Sequence, residues 1–257
     1  MGILIGAERR QRILEILTQK EFVPIEFLVQ ELKASPATIR RDLMTLETEG
    51  SLERVHGGAT LSRHRPGINR ILTLSEREPK LNKEKETIGT KAASFVRDGE
   101  TIILDGGTTT YQVARHLINR HIQIITNSLP IAGLFANSLT TEVFLLGGTL
   151  YPKRGVFLGF FTEEMAIKVN SQKAFLGVAG ITEDGFTNTD LQTVELQRNI
   201  LKKTQEVFLV ADHSKWAKNG MYLAADFSEV DAIISDRKPS VFLAEVLKKN
   251  KVEIIVA

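Results

Sequence analysis

The residues best suited to bind an anion form one short run between an apolar segment and a helical pattern. At such a strand-to-helix junction the helix N-terminal N–H groups point outward, and glycine lets the backbone approach a ligand. Threonine hydroxyls would add donors for phosphate oxygens. The run therefore predicts a phosphate site, although a plain strand-to-helix turn accounts for the same residues equally well. Its members are Asp105, Gly106, Gly107, Thr108, Thr109 and Thr110.

Further polar residues follow other apolar segments that are typical of strands. If these strands are parallel, their carboxyl ends meet at one edge of the sheet and their polar residues face one crevice. We expect a lysine there to place an ammonium beside a phosphate, and Asp190 to accept from a sugar hydroxyl or to cap a helix. A lysine or arginine alone is more often a solvated side chain. The expected ligand-binding residues in this group are Asn127, Ser128, Gly147, Gly148, Arg154, Asp190 and Lys215.

A helix with an exposed basic front is predicted to begin after Ser35. Ser35 is a favourable N-cap and Pro36 suits the first helical position. A buried stripe is formed by residues at i, i+4 and i+7, namely Ile39, Leu43 and Leu46. The exposed basic front of the helix predicts contact with DNA. The alternative interpretation is that these residues form an ordinary solvated face. The candidate DNA-binding residues on this helix are Ser35, Ala37, Thr38, Arg40 and Arg41.

A short β-hairpin is predicted to follow this helix. Gly50 would end the helix, Leu52–Val55 would form a strand, and Gly57-Gly58 would supply a tight turn. Arg54 and His56 would lie at its tip and contact the DNA backbone or minor groove. Two helical patterns precede the basic helix, so the whole region predicts a winged helix-turn-helix.

Two motifs give this region a family resemblance. Ala37–Leu43 reads Ala-Thr-Ile-Arg-Arg-Asp-Leu and Val55–Ala59 reads Val-His-Gly-Gly-Ala, as in DeoR-family bacterial transcriptional repressors. The later Asp-Gly-Gly-Thr-Thr, Thr-Asn-Ser and Asp-His-Ser-Lys segments resemble the effector domain of that family, which is similar to sugar-phosphate isomerases and CoA-transferases. The resemblance implies a repressor of a sugar or polyol operon that binds double-stranded operator DNA and a phosphorylated sugar.

The chain departs from the family pattern at three places. The turn before the basic helix, Leu32–Ser35, has no glycine. Residues 177–181 read Gly-Val-Ala-Gly-Ile where the family often has Gly-Ala-Asp-Gly-Ile, so Ala179 replaces an acid. Gln192–Arg198 also differs from the common pattern, with Thr193 among the changed positions. Related isomerases place a working carboxylate in the loop that holds Ala179, so the resemblance makes isomerase activity less favoured.

The expected organisation is a winged helix-turn-helix domain over residues 1–61, a linker over 62–86 and an effector-binding domain over 87–257. The resemblance implies that linker residues Arg77, Asn82 and Lys85 pack on the second domain, whereas a solvated connector is the alternative. Alternating helical and apolar patterns after Thr87 predict an α/β fold with a mainly parallel sheet. Its strands are expected at Thr101–Leu104, Ile122–Thr126, Val143–Leu146, Lys173–Val178, Glu206–Ala211, Asp231–Ser235 and Val252–Val256.

Composition limits the possible functions. The chain has 257 residues, no cysteine and a net charge of +2. Without cysteine there are no disulfides, thiolate chemistry or cysteine zinc sites, and we expect no metal and no cofactor. Residues 1–65 hold ten Lys and Arg against nine Asp and Glu, so attraction to DNA depends on where the charges lie. No segment has the length of a membrane span, and we expect a cytoplasmic protein.

Three functions remain to be compared. A ligand-controlled repressor accounts for both the basic helix and the phosphate loop. A sugar-phosphate isomerase or transferase with an N-terminal appendage would need a base beside the substrate carbon, and Ala179 removes the obvious candidate. A sugar-phosphate-binding adaptor without DNA activity leaves the basic helix unexplained. Because half-sites are usually read in pairs, we also expect a homodimer or homotetramer assembled through the second domain.

Overall fold

The computed structural model describes residues 6–20, 22–48, 52–55, 57–61 and 81–257. The chain divides into two compact units, residues 1–70 and 71–257. Gly50, His56 and Arg77 lie outside the described residues. Within the described ranges, no helix has both the length and the hydropathy needed to cross a bilayer.

The first unit is a winged helix-turn-helix, as predicted. Its elements are α1 (Gly6–Gln19), β1 (Val23–Pro24), α2 (Ile25–Leu32), α3 (Pro36–Thr48), β2 (Leu52–Val55) and β3 (Gly58–Leu61). The three short strands form an antiparallel sheet in the order β1-β3-β2. Val55 pairs with Gly58, so Gly57 lies in the turn with φ +83° whereas Gly58 already belongs to the second strand.

The turn between α2 and α3 uses a lysine where glycine is common. Lys33 follows α2 in the left-handed conformation, with φ +47° and ψ +43°. A side chain with a Cβ adopts this conformation less readily than glycine, but it still ends the helix and redirects the chain. The missing glycine in Leu32–Ser35 therefore does not prevent the helix-turn-helix geometry.

The core of the first unit is small and depends on the predicted stripe of α3. Ile39 and Leu43 are fully buried and Leu46 is 2% exposed. They pack with residues of α1, α2 and the wing, including Ile13, Leu17, Leu28 and Leu52. Because this core contains few buried side chains, the loss of any large one should remove a substantial part of the unit's free energy of unfolding.

Leu43→Ala should destabilise the first unit by about 2–5 kcal/mol, because a cavity replaces a fully buried side chain. Urea denaturation followed by circular dichroism will measure the loss. The matched control is Met44→Ala on the same helix, because Met44 is 55% exposed and should change the free energy of unfolding much less. Equal effects of the two substitutions would contradict the assignment of the buried face.

The second unit is built on a seven-stranded sheet whose strands are all parallel, as predicted. The sheet strands are β4 (Thr101–Leu104), β5 (Gln123–Thr126), β6 (Glu142–Leu145), β9 (Ser171–Gly177), β12 (Thr204–Val210), β14 (Ala232–Ser235) and β15 (Glu253–Val256). The helices are α4 (Asn82–Ala93), α5 (Thr108–Arg115), α6 (Leu129–Leu134), α7 (Phe160–Ala166), α8 (Leu191–Leu201) and α9 (Val241–Lys249).

Alternate residues of each strand enter different cores, which accounts for the continuous apolar runs. On β4, Ile103 packs with α7, α8 and α9, whereas Ile102 and Leu104 pack with α4, α5 and α6. Both faces of the sheet are therefore covered by helices, as a parallel sheet requires.

Strand order places a crevice near the middle of this sheet. The order is β15-β14-β12-β9-β4-β5-β6, so the chain runs outward from β4 in one direction and from β9 in the other. In open parallel sheets ligands bind outside the carboxyl ends of the strands at such a reversal. The loops after β4 and β9 are thus the expected walls of a site.

Two antiparallel additions were not predicted. One is the hairpin of β7 (Thr149–Tyr151) and β8 (Val156–Leu158), and the other is a sheet of β10 (Gly180–Thr182), β11 (Gly185–Asn188) and β13 (Tyr222–Ala225). Their short strands carry too few residues for a clear period in the sequence. In addition, α4 begins at Asn82, so residues 82–86 are helical although the sequence assigned them to a linker.

Candidate functional site

The exposed front of α3 carries two cations. Arg40 and Arg41 are exposed, and neither forms an ion pair with another residue of the described part of the chain. Their neighbours Ile39 and Leu43 are fully buried, which fixes the orientation of the helix. The two guanidinium groups therefore extend from a rigid surface, where they can reach phosphates or base edges.

Ser35 has a defined structural task at the start of α3. Its Oγ accepts a hydrogen bond from the Thr38 backbone N–H at 3.2 Å and lies 2.9 Å from the Thr38 Oγ1. This is the N-cap predicted from the sequence. Ala37 is exposed beside this cap, so the first turn of α3 presents a small, open surface.

A buried carboxylate ties α3 to α1. Asp42 is 4% exposed and its Oδ2 accepts from the Arg9 Nε at 2.6 Å, while the Arg10 Nη1 lies 3.6 Å from its Oδ1. The sequence did not predict this pairing of Arg9 and Arg10 with Asp42. Because the partners are 33 residues apart in the sequence, the periodicity of either helix cannot predict that they pair.

The wing contacts α3 through Arg54. The Arg54 backbone N–H donates to the Glu47 Oε1 at 3.1 Å, and its Nη1 lies 3.6 Å from the Glu47 Oε2. Arg54 is itself exposed and pairs across the hairpin with Ala59. Its charge is therefore shared between Glu47 and solvent, unlike the charges of Arg40 and Arg41.

A cavity of about 660 Å³ lies at the carboxyl edge of the parallel sheet in the second unit. Its walls come from the loops after β4, β9 and β12, from the β7–β8 turn and from the start of α4. The lining includes Asp105, Gly106, Gly107, Thr108, Thr109, Arg154 and Lys215, all expected from the sequence. Residues distant in the chain thus converge at the strand-order reversal.

The glycine–threonine loop presents a helix N-terminus to this cavity. Helix α5 begins at Thr108, and its N-cap residue Gly107 provides no side-chain cap. A Cβ on Gly106 would lie 2.3 Å from a methyl carbon of Val156, so only glycine fits there. The uncapped N–H groups and the positive end of the helix dipole form an anion-binding surface.

Several cationic side chains share the cavity wall. Lys85, Arg154, Lys215 and Lys218 all line it. Lys215 belongs to a 3₁₀ turn, His213–Lys215, which is fixed because the His213 N–H and Nδ1 each lie 2.6 Å from an Asp236 carboxylate oxygen. The turn begins with Asp212, whose Oδ1 accepts from the Ser214 N–H at 3.0 Å. The cavity can therefore neutralise a dianion with groups from separate elements.

Asp105 forms the floor of the cavity and is 3% exposed. Burial raises its pKa to about 6, although a hydrogen bond from the Gln197 amide and others from the Gly106 and Gly177 N–H groups lower it. These three donors also fix the side chain in place. Asp105 is thus a structural acceptor under the loop, and its protonation is sensitive to mildly acidic pH.

Family models match both units of the chain. A model described as the DeoR-like helix-turn-helix domain matches residues 9–65, and the DeoR C terminal sensor domain matches residues 80–237. The chain belongs to the DeoR family of transcriptional regulators. The first unit is the family's helix-turn-helix domain, and the cavity is formed by residues of its sensor domain.

Two relatives extend over nearly the whole DeoR-family chain. The HTH-type transcriptional repressor GlcR of Bacillus subtilis is 34% identical over 97% of this chain and 95% of its own length. The glycerol-3-phosphate regulon repressor of Escherichia coli is 32% identical over 96% of this chain and 97% of its own. Ribose 5-phosphate isomerase A of Methanocaldococcus jannaschii is only distantly similar, at 17% identity and a TM-score of 0.41 over 54% of this chain and 56% of its own. The named family members are regulators and not enzymes, so the alternative of an isomerase is set aside.

Six of the expected ligand-binding residues lie outside the cavity lining, namely Asp190 and the five whose contacts follow here. Asn127 donates from its Nδ2 to the Phe157 carbonyl at 3.0 Å, and Ser128 caps α6 by accepting from the Ile131 N–H. Thr110 is fully buried and donates to the Gly107 carbonyl. Gly147 and Gly148 pack against Thr162. These residues hold the loops of the sensor domain in place.

Asp190 reaches the cavity only through Arg154. Its Oδ2 accepts from the Arg154 Nη1 at 2.9 Å, and from the N–H of Thr193 as N-cap of α8. The Arg154 Nη2 donates to the Thr193 Oγ1 at 2.8 Å. Hydrogen bonds from Thr193 and Arg154, and the nearby Arg154 charge, lower the pKa of Asp190 despite partial burial. The alternative helix-capping role is therefore present, and Asp190 orients the guanidinium.

Sequence reasoning missed other residues of the cavity. Lys85, Asn188, Asp212 and Lys218 line it beside the expected residues. The Ala179 wall is also part of the lining. Asp212 lay within the Asp-His-Ser-Lys motif and could have been singled out. Asn188, at the end of the short strand β11, and Lys218 have no comparable signal in the sequence.

The raised pKa of Asp105 predicts a pH effect on stability. Its folded pKa of about 6 exceeds the unfolded value of about 3.9, so this stabilising contribution is present below pH 4 and is lost as pH rises through 6. The loss should amount to about 3 kcal/mol. Urea unfolding of wild type and Asp105→Asn between pH 4 and 7 will test this, because the variant lacks the slope. Parallel pH profiles would contradict the shifted pKa.

Proposed function

We propose that this DeoR-family regulator represses a sugar or polyol operon and that a phosphorylated sugar bound in the sensor-domain cavity controls its DNA binding. One observation carries the effector assignment. The uncapped N-terminus of α5, at Gly107 and Thr108, lies in one cavity with Lys85, Arg154 and Lys215. Backbone N–H donors combined with several cations favour a dianionic phosphate over a neutral sugar.

The rest of the cavity supports a polyhydroxyl ligand. Asn188 and Thr189 line the wall on the β11 side, and Ser214 lines the wall near Lys215. Amide and hydroxyl groups can donate to and accept from sugar hydroxyls. A cavity of about 660 Å³ has the size of a small-molecule site.

For DNA binding we propose that Arg40 and Arg41 contact operator DNA directly. Ser35, Ala37 and Thr38 would border this contact on the first turn of α3. We propose that Arg54 and His56 of the wing contribute affinity through the DNA backbone or minor groove, with little base selectivity. A DNA-binding regulator acts where the chromosome lies, so we place the protein in the cytoplasm.

We further propose a homodimer or homotetramer. The chain has one recognition helix, and reading two half-sites together multiplies affinity and specificity. Sedimentation equilibrium of the full chain, with and without operator DNA, gives the test. A monomer at concentrations that saturate the operator would contradict this part of the proposal.

The function as a whole is tested by a DNA-shift titration. An operator is first selected by the protein from a random duplex library. Binding is then measured with glycerol 3-phosphate, glucose 6-phosphate, fructose 6-phosphate and ribose 5-phosphate, each beside its unphosphorylated counterpart. We expect one phosphate ester to change operator affinity and its counterpart to have no effect. Failure to select any DNA sequence would overturn the regulator assignment, whereas operator binding that no phosphate ester changes would overturn the effector assignment alone.

A further inference from the structure

Helix α4 brings the start of the sensor domain into the cavity. It begins at Asn82 and is the first described helix after the wing in chain order. Leu81 and Lys85 line the cavity together with Gly106–Thr109. A ligand bound at Gly106–Thr109 would therefore lie against the first described residues of this domain.

Lys85 is unusually buried for a lysine on the first turns of a helix, with an exposure of 7%. A cation in such a place is stabilised by an anion or by several acceptors. The same wall carries Arg154 and Lys215, so a dianion in the cavity would be attracted to cations from three separate elements. A bound dianion would therefore add a favourable charge interaction with the Lys85 ammonium.

Helix α4 also packs directly against α5. A Cβ on Gly89 would lie 2.7 Å from the Gln112 carbonyl carbon, so the two backbones pack without a side chain between them. The Gln112 Nε2 donates to the Asn82 Oδ1 at 3.1 Å. Helix α5 directly follows the Asp105–Gly107 loop. A movement of this loop would therefore act on α4 through the Gly89–Gln112 contact and the Gln112–Asn82 hydrogen bond.

The residue just before α4 is held in an unfavourable backbone conformation. Leu81 has φ +54° and ψ +41°, in the left-handed region that few residues with a Cβ adopt. Such a residue keeps this conformation only because the surrounding structure holds it there. Leu81 and the start of α4 are therefore a strained segment in the cavity wall.

We propose that Lys85 couples effector binding to DNA binding, by holding the start of α4 in one of two positions according to cavity occupancy. This inference rests on the proposed effector site. Lys85 then has a role different from that of Lys215. Lys215 contributes affinity for the phosphate, whereas Lys85 makes the affinity depend on whether DNA is bound.

The test measures the coupling ratio, which is the operator Kd at saturating effector divided by the operator Kd without effector. The four phosphate esters named above are each titrated into full-length wild type, Lys85→Met, Asn82→Ala and Lys215→Met. Isothermal titration of the same proteins gives the effector Kd and defines saturation for each. Asn82→Ala is included because Asn82 does not line the cavity.

We expect the wild-type ratio to differ from one by about tenfold or more, which is typical of allosteric coupling. Lys215→Met should bind the ester more weakly yet show the wild-type ratio at saturation. Lys85→Met should bind operator normally with a ratio within about threefold of one. Asn82→Ala should keep the effector Kd and also lose most of the ratio.

Each outcome separates the two proposals. If Lys85→Met and Asn82→Ala keep the wild-type ratio, the coupling role is overturned while the effector site stands. If Lys85→Met no longer binds the ester, the ratio of Asn82→Ala decides the matter, and retention of the wild-type value overturns the proposal. If no ester binds wild type, the effector site falls, and the coupling role falls with it.

Discussion

Lys215→Ala is expected to leave operator affinity unchanged while removing its response to the effector at concentrations that saturate wild type. The side chain lines the same cavity as the uncapped N-terminus of α5, and its turn is fixed by the contact of His213 with Asp236. Loss of one hydrogen-bonded charge should weaken phosphate binding by about 1.5–3 kcal/mol, or roughly 10- to 150-fold. Lys215 belongs to the sensor domain and not to α3 or the wing, so the substitution leaves the residues of the DNA-binding surface unchanged.

A second variant tests the same site from the other side. Thr108→Asp places a carboxylate at the first position of α5, where the phosphate is expected. It should also abolish the response, because two anions would compete for the same N–H groups.

The matched control for Lys215→Ala is Lys153→Ala, since Lys153 is exposed in the β7–β8 turn and does not line the cavity.

Isothermal titration of the full chain and DNA-shift assays give the measurements. Lys153→Ala should match wild type in both, which separates the loss of one positive charge from the loss of this particular contact. Unchanged effector affinity in Lys215→Ala would exclude Lys215 from the phosphate site. Equal affinity of wild type for a phosphorylated sugar and its unphosphorylated counterpart would remove the phosphate assignment altogether.

The double substitution Arg40→Ala with Arg41→Ala should weaken operator binding by about 2–6 kcal/mol, since each phosphate or base contact contributes on the order of 1–3 kcal/mol. Both side chains are exposed and lie off the buried Ile39–Leu43 stripe, so the domain should remain folded. The slope of log K against log salt should also fall by about two if both contacts are to phosphates. Fluorescence anisotropy with labelled operator at several salt concentrations measures both effects.

The matched control is Lys248→Ala with Lys249→Ala. These lysines are exposed in the last turn of α9, and their loss changes the net charge by the same amount. This control variant should leave operator affinity and the salt slope nearly unchanged. Circular dichroism verifies the fold of both double variants. A recognition-helix variant that binds operator like wild type at physiological salt would refute the role of α3.

Because Arg54 pairs with Glu47, we expect the wing to contribute less to DNA binding than α3 does. A guanidinium already shared with a carboxylate gains less on meeting a phosphate, because the existing contact must first be given up. Arg40 and Arg41 have no such partner among the residues described for the first unit. The sequence predicts DNA contact for all three arginines, and only their contacts in the structure distinguish the contributions that we expect from them.

Local rules were sufficient for the elements that carry the groups proposed to bind DNA and phosphate. Ser35 and Pro36 fixed the start of α3, and a helical period fixed its buried face. All seven parallel strands were placed within about two residues, because each contains a short run of apolar residues. The Asp105–Thr110 loop was likewise recognisable, since glycine and threonine at a strand-to-helix junction have a direct chemical meaning.

Tertiary structure alone decided which of the polar residues meet. The loop after β5, with Asn127 and Ser128, looked equivalent to the loop after β4, yet its side chains are used within the protein. The resemblance implied that Lys85 packs on the second domain from a linker, but only the structure places it on helix α4 and in the cavity wall. The physical reason is strand order. Sequence fixes where each strand ends, but which ends become neighbours depends on how the helices pack across the two faces of the sheet, and no single segment of the chain contains that information.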